Sequence, residues 1–109
     1  KEILVVFQPH LFSRTRDFIE DFASALSKFD DVLLLDIYPA RETPIVGVDS
    51  NWLLSKIENK RKKLSQKHNL IKDIKNSSAK VVVMLGAGDI GVLVNEVTSE
   101  LLKALEYEV

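Results

Sequence analysis

A chain of 109 residues, 46% hydrophobic and 28% charged, can bury one core and is too short for two domains. It has no cysteine, which excludes disulfides and thiolate metal sites and suits a reducing compartment. A formal net charge of −1 gives no global field to recruit nucleic acid or anionic lipid, and no apolar stretch approaches the roughly 20 residues of a membrane span.

The chain opens on Lys1-Glu2 and runs straight into Ile3-Leu4-Val5-Val6-Phe7. It starts without Met and without the pattern of a signal peptide, so a piece of a longer protein is expected. Residues 3–7, 32–35 and 81–85 are short, continuous apolar runs rich in Val and Leu. A strand with one wet face alternates, whereas a strand covered on both faces does not, so these predict central strands of a parallel sheet. Between the first two, Phe18, Ile19, Phe22, Leu26 and Phe29 recur at helical spacing, with Ser13 or Thr15 as the expected cap. Two weaker helices follow, over 51–58 with Ser50 as cap and over 66–75 with Ser65 as cap. Leu70, Ile71 and Ile74 should face inward in the second. Residues 62–64 predict a short edge strand whose lysines discourage wrong pairing. A last stripe, Ile90, Leu93, Val94, Val97, Leu101 and Leu105, predicts a C-terminal helix. Strand and helix alternate, so the expected fold is α/β: a three-layer Rossmann-like sandwich with a mainly parallel sheet, N-terminally truncated.

Residues 56–63 carry five basic side chains, Lys56, Lys60, Arg61, Lys62 and Lys63. Without interleaved aromatics or a wider basic surface they read as a solvated helix end, not a nucleic-acid patch. His10 and His68 are far apart in sequence, and no metal constellation is expected. Ser13 with His10 lacks a third orienting group, so no nucleophile–base pair is expected either.

Ligands of open α/β sheets bind beyond the carboxyl ends of the strands, where loops converge on helix N-termini. That rule selects three loops. The first, from Gln8 to Asp17, carries His10, Ser13, Arg14, Thr15 and Arg16. Guanidinium forks suit a carboxylate or phosphate, but Arg14 or Arg16 could equally pair with Asp17 or Glu20, and the sequence leaves both open. The second, from Tyr38 to Gly47, is stiffened by Pro39 and Pro44 and carries Arg41 and Glu42 at its tip, as a site or as an exposed ion pair. The third, Gly86-Ala87-Gly88-Asp89-Ile90-Gly91, matches G-x-G-x-x-G. Too little chain follows for the second strand of a dinucleotide-binding unit, so the glycines are read as a tight turn approached closely by a ligand or another domain.

Taken in order, these loops resemble the C-terminal domain of the Mur ligases. The residues that carry the resemblance are Phe7-Gln8-Pro9-His10, Ser13-Arg14-Thr15-Arg16-Asp17, Tyr38-Pro39-Ala40 with Glu42, Pro44-Ile45 and Gly47, and Leu85-Gly86-Ala87-Gly88-Asp89-Ile90. The first block is the most specific and 56–78 the least distinctive part. The resemblance implies that residues 1–109 form most of the amino-acid-binding domain of a three-domain bacterial cytoplasmic enzyme of peptidoglycan precursor synthesis. Its N-terminal domain would hold the UDP-sugar, and its central domain ATP and Mg²⁺. The implied reaction joins L-alanine to UDP-N-acetylmuramate through an acyl phosphate. A ligase that recycles muropeptides by adding a tripeptide, or a non-catalytic α/β binding module, are the alternatives. The implied substrate-binding residues are His10, Arg14, Arg16, Glu42, Gly86, Gly88 and Asp89, with no catalytic residue and no metal ligand in this part. Three departures stand out. An Asp-rich, His-containing segment that opens the domain in relatives is absent. Leu11 stands where many relatives carry a basic residue, and Arg41 where the pattern tolerates others.

Overall fold

The computed structural model describes residues 2–86 and 90–108, with side chains over 2–86 and 90–101. The elements in chain order are β1 (Ile3–Gln8), α1 (Phe12–Asp17), α2 (Ile19–Leu26), β2 (Asp31–Leu34), α3 (Ser50–Lys56), β3 (Lys62–Leu64), a 3₁₀ turn (Lys67–Asn69), α4 (Leu70–Lys75), β4 (Val81–Gly86) and α5 (Ile90–Glu108). The strands form one sheet in the order β3-β2-β1-β4, every pair parallel.

The continuous apolar runs are strands because both their faces are covered. Leu4 and Val6 of β1, with Leu33 and Leu35, pack against Leu70 and Ile74 of α4 and Leu93 and Val97 of α5. Val5, Val32 and Leu34 point the other way, onto Ile19, Ala23 and Leu26 of α2 and Leu53 and Ile57 at α3. This is the three-layer sandwich expected. Helices of 6 to 8 residues such as α1, α2, α3 and α4 cannot persist alone, because nucleation is too costly. Burial of side chains such as Leu53 and Leu70, each contributing about 1.5–3 kcal/mol, holds them on the sheet.

Several boundaries and caps differ from expectation. The first helical stripe is split at Phe18 (φ −115°, ψ 24°), which is half exposed, while Phe22 packs on Phe7 at 5.4 Å. Neither Ser13 nor Thr15 caps: the helix begins one turn earlier, behind Leu11, and Thr15 is buried with its hydroxyl donating to the Leu11 carbonyl at 2.8 Å. Asp49, not Ser50, caps α3, accepting from the Trp52 amide at 2.8 Å; an acidic residue one position upstream was the better acceptor. Ser50 instead donates to the Leu35 carbonyl, joining the helix to the sheet. Ser65 turns inward to Asp73 at 2.7 Å, and the helix it was expected to cap starts as a 3₁₀ turn. Val94 is exposed although it lies on the C-terminal stripe, and the side chain of Leu105 lies outside the described residues.

Four of the five basic residues of 56–63, all but Lys60, are drawn into structural contacts among the described residues. Lys56 reaches Glu20, Arg61 reaches Glu2 and Asp31, and Lys63 reaches Asp73. Lys62 closes the end of α3 by donating to the Leu54 and Ile57 carbonyls.

Strand order fixes where loops converge. The chain moves outward from β1 through β2 to β3, then returns past β1 to lay down β4. The point where that direction reverses lies between β1 and β4, at their carboxyl ends, where Gln8 pairs with Gly86.

Candidate functional site

The loops after β1 and β2 are bound to each other before they meet any ligand. His10 forms an isolated parallel bridge with Tyr38. Tyr38 donates its amide to the Pro9 carbonyl at 2.8 Å, and Leu11 donates to the Tyr38 carbonyl at 2.9 Å. The His10 and Tyr38 rings stack with centroids 5.8 Å apart and planes 17° from parallel. The imidazole is thereby held on a platform at the sheet edge, half-buried.

Leu11 follows with φ 70° and ψ 136°, a region that a branched residue avoids, and its carbonyl then accepts from the Thr15 amide and hydroxyl. With no side-chain cap of its own, α1 takes one from the second loop. The Ser13 amide donates to Glu42 Oε1 at 3.0 Å, and the Ser13 hydroxyl donates to Glu42 Oε2. Those hydrogen bonds, the hydroxyl's first, hold the Glu42 carboxyl below its ordinary range, with a smaller contribution from Arg16.

The structure separates the two arginines that the sequence could not. Arg16 Nε lies 2.8 Å from the Asp17 carboxylate, an exposed pair that raises the guanidinium pKa further. Arg14, exposed on the same turn, makes no ion pair or side-chain hydrogen bond among the described residues. It is the cation left available beside His10. Arg41 is also exposed, at the tip of the second loop.

Gly86 closes the other side of the site. Its φ of +145° suits glycine, and a Cβ there would lie 2.6 Å from the Gln8 carbonyl oxygen. Glycine is therefore required by close approach of β1 and β4. Gly88 and Asp89 lie outside the described residues. The His10 loop and the Gly86 turn thus leave the same end of neighbouring strands, with Glu42 joined to the first through Ser13.

Beside them a cleft of about 430 Å³ opens over the ends of β1, β2 and β3, lined by Gln8, Asp36, Tyr38, Pro39, Ser65 and Lys67. Gln8 is 3% exposed and its Oε1 has no partner among the described residues. Sequence reasoning had not assigned a role to Gln8 or Tyr38. Tyr38 carries part of the resemblance, but no spacing rule reports its backbone pairing with Pro9 and Leu11 or its stack on His10. Gln8 left a signal: a polar residue closing an apolar strand. Among the described residues no group of three or more His, Cys, Asp or Glu is placed to hold a metal ion, and no helix is long and apolar enough to cross a membrane.

No family model matches the chain. Among curated proteins it is 66% identical over 102 residues to the UDP-N-acetylmuramate–L-alanine ligase of Christiangramia forsetii, covering 94% of this chain and 23% of that protein. It is 60% identical over 101 residues to the protein of the same name from Flavobacterium psychrophilum, covering 93% of this chain and 22% of the relative. It is 45% identical over 105 residues to the one from Parabacteroides distasonis, covering 96% of this chain. The chain thus spans under a quarter of the length of the curated relatives it matches.

Proposed function

Because this chain belongs to the Mur ligase family, as part of its C-terminal domain, we propose that it is the amino-acid-binding part of an ATP-dependent ligase joining L-alanine to UDP-N-acetylmuramate. The single observation that carries the reading is the His10–Arg14 edge, in a chain whose relatives bear that enzyme's name. A zwitterionic amino acid presents a carboxylate. Arg14 offers an available guanidinium for it, on a loop fixed by the Tyr38 pairings. His10 orients that loop or touches the substrate from its stack on Tyr38. Arg16 is two residues from Arg14, Glu42 meets Ser13 beside it, and Gly86 stands at the end of the neighbouring strand; Gly88 and Asp89 remain proposed substrate-binding residues.

In this reading the N-terminal and central domains of the longer chain supply the UDP-sugar site and the ATP and Mg²⁺ site, in the bacterial cytoplasm. ATP transfers its γ-phosphoryl group to the substrate carboxylate, releasing ADP. The alanine amine attacks the acyl carbon, loses a proton and expels phosphate, leaving an amide. This chain's part is to bind and aim the amine's carrier and to set cationic groups where negative charge builds. By itself, residues 1–109 should catalyse nothing.

The test is a substrate panel on the full-length enzyme. Phosphate release that needs UDP-N-acetylmuramate, ATP and L-alanine together supports the reading. Preference for a tripeptide over alanine assigns the chain to muropeptide recycling. Phosphate release by residues 1–109 alone, dependent on ATP and alanine, overturns the division of labour.

A further inference from the structure

We infer that Glu42 is a positioning residue: through Ser13 it sets the start of α1, and so the placement of Arg14, without itself contacting the amino acid. This rests on the reading of Arg14 as the carboxylate-binding group.

The observations come from both ends of the contact. α1 has six residues and no side-chain cap of its own at Leu11. A helix that short does not hold its first turn unaided. Glu42 approaches from a loop 29 positions away in sequence and accepts from both the Ser13 amide and the Ser13 hydroxyl, one on each carboxylate oxygen. It thereby serves as an N-cap supplied from another loop. Each oxygen already accepts one Ser13 hydrogen, so the carboxylate is aimed at the start of α1. The loop bearing it is itself fixed. Glu42 donates its amide to the Pro39 carbonyl at 2.9 Å, and Tyr38, next to Pro39, is paired with Pro9 and Leu11. Arg14 follows Ser13 directly, so the backbone that Glu42 fixes is the backbone from which the guanidinium projects. The Leu11 conformation, at φ 70°, lies just upstream and needs its surroundings to keep it. Removing the carboxylate should let the turn between Leu11 and Arg14 relax.

The experiment is a double-mutant cycle in the full-length ligase with Glu42→Ala, Glu42→Gln, Arg14→Ala and the Glu42→Ala/Arg14→Ala double variant. Each is assayed with alanine and ATP varied in turn. Misplacement of a binding group by about an ångström can cost on the order of a hundredfold. Glu42→Ala should therefore raise the KM for alanine by about tenfold or more, with kcat at saturating alanine and the KM for ATP held within about twofold. Glu42→Gln keeps an acceptor for Ser13 and should fall between. In the Arg14→Ala background the effect of Glu42→Ala should vanish, because its target is gone. Additive effects in the cycle would show that Glu42 meets the substrate directly and overturn the inference. Should Arg14→Ala leave alanine binding unchanged, the alanine-site reading fails, and amide hydrogen exchange then judges Glu42. Exchange at residues 11–16 should rise in Glu42→Ala while the β1 core stays protected; unchanged exchange there overturns the latch.

Discussion

The two ends of the sheet use similar residues to opposite effect. At the amino ends of the strands a connected set of charges is matched, although Lys60 and Lys80 there make no ion pair among the described residues. Arg61 Nη1 lies 2.8 Å from Glu2 and its Nη2 bonds Ser78 at 3.0 Å and approaches Asp31 at 3.4 Å. Ser77 donates to Asp31 at 2.7 Å, and the Ile3 amide donates to Asp30 at 2.8 Å. At the carboxyl ends, Arg14 and Gln8 Oε1 have no partner among the described residues, and Leu11 and Ala40 hold positive φ. Self-satisfied polar groups stabilise a fold. Unmatched groups and strained backbone lower stability and persist where something else, a ligand or a neighbouring domain, completes them. The comparison singles out the carboxyl end, where an orphaned buried acceptor and two positive-φ residues lie together, as the candidate site without reference to any relative.

The comparison breaks most visibly at Gly86. Replacing it with Ala puts a methyl group against the Gln8 backbone carbonyl, at a φ that L residues rarely adopt. Neither partner is a flexible side-chain tip, so strands β1 and β4 must part, at a cost on the order of 3 kcal/mol. Thermal melting of the chain should show the drop. An unchanged melting temperature would mean that the strand ends are not held as closely as the geometry shows.

Next come the two arginines. Arg14→Ala in the full-length ligase should cut efficiency for alanine by about one to two orders of magnitude, the worth of a charge-assisted hydrogen bond, while the melting temperature stays put. Arg14 makes no ion pair or side-chain hydrogen bond among the described residues. In a six-residue helix it lies in the last turn as much as the first, so the dipole effect is small and its removal should cost little stability. Wild-type kinetics with a lowered melting temperature would make Arg14 structural. Arg61→Ala should do the reverse: a modest fall in melting temperature, because the pairs are only part-buried, and unchanged kinetics. The hydrogen bond from Arg61 is the main cause of the lowered Glu2 carboxyl pKa. A carboxyl depressed on folding stabilises above its unfolded pKa and loses that contribution as pH falls through its folded value. The Arg61→Ala penalty should therefore be full at neutral pH and shrink in acid below about pH 4.5, the ordinary Glu value. A penalty that grows in acid would contradict the sign.

Most of the layering was legible in the sequence, since runs such as 3–7 and 32–35 announce strands covered on both faces. That the loops after β1 and β2 meet at one end of the sheet was legible too, because strand-end loops follow from parallel topology. Caps were less so. Asp49 and Ser50 are adjacent candidates, and only the turn geometry decides between them. The division between Arg14 and Arg16 depended on which guanidinium reached Asp17, a matter of rotamer that no spacing rule reports. The Glu42–Ser13 contact joins positions 29 apart and needed both loops folded before it could be seen.

The smallest effect expected is at Ala40. It sits second in a turn closed by the Glu42 amide donating to the Pro39 carbonyl, with φ 53°. Glycine favours a positive φ at that position, whereas an L residue is strained there by roughly 1–2 kcal/mol. Ala40→Gly removes that strain but frees the unfolded chain, at a cost of about 0.5–1 kcal/mol. The net should be a gain of no more than about 1 kcal/mol, read as a small rise in melting temperature. Kinetics discriminate further. If Glu42 and Tyr38 fix the loop, releasing strain at Ala40 should leave the KM for alanine unchanged, because the contacts to Ser13, Pro9 and Leu11 remain. If instead the strained residue dictates where Glu42 lands, the KM should rise even as the protein becomes more stable. A rise in both would place the functional determinant in the backbone at Ala40, and the difference between the two ends of the sheet would then lie in conformation more than in unmatched charge.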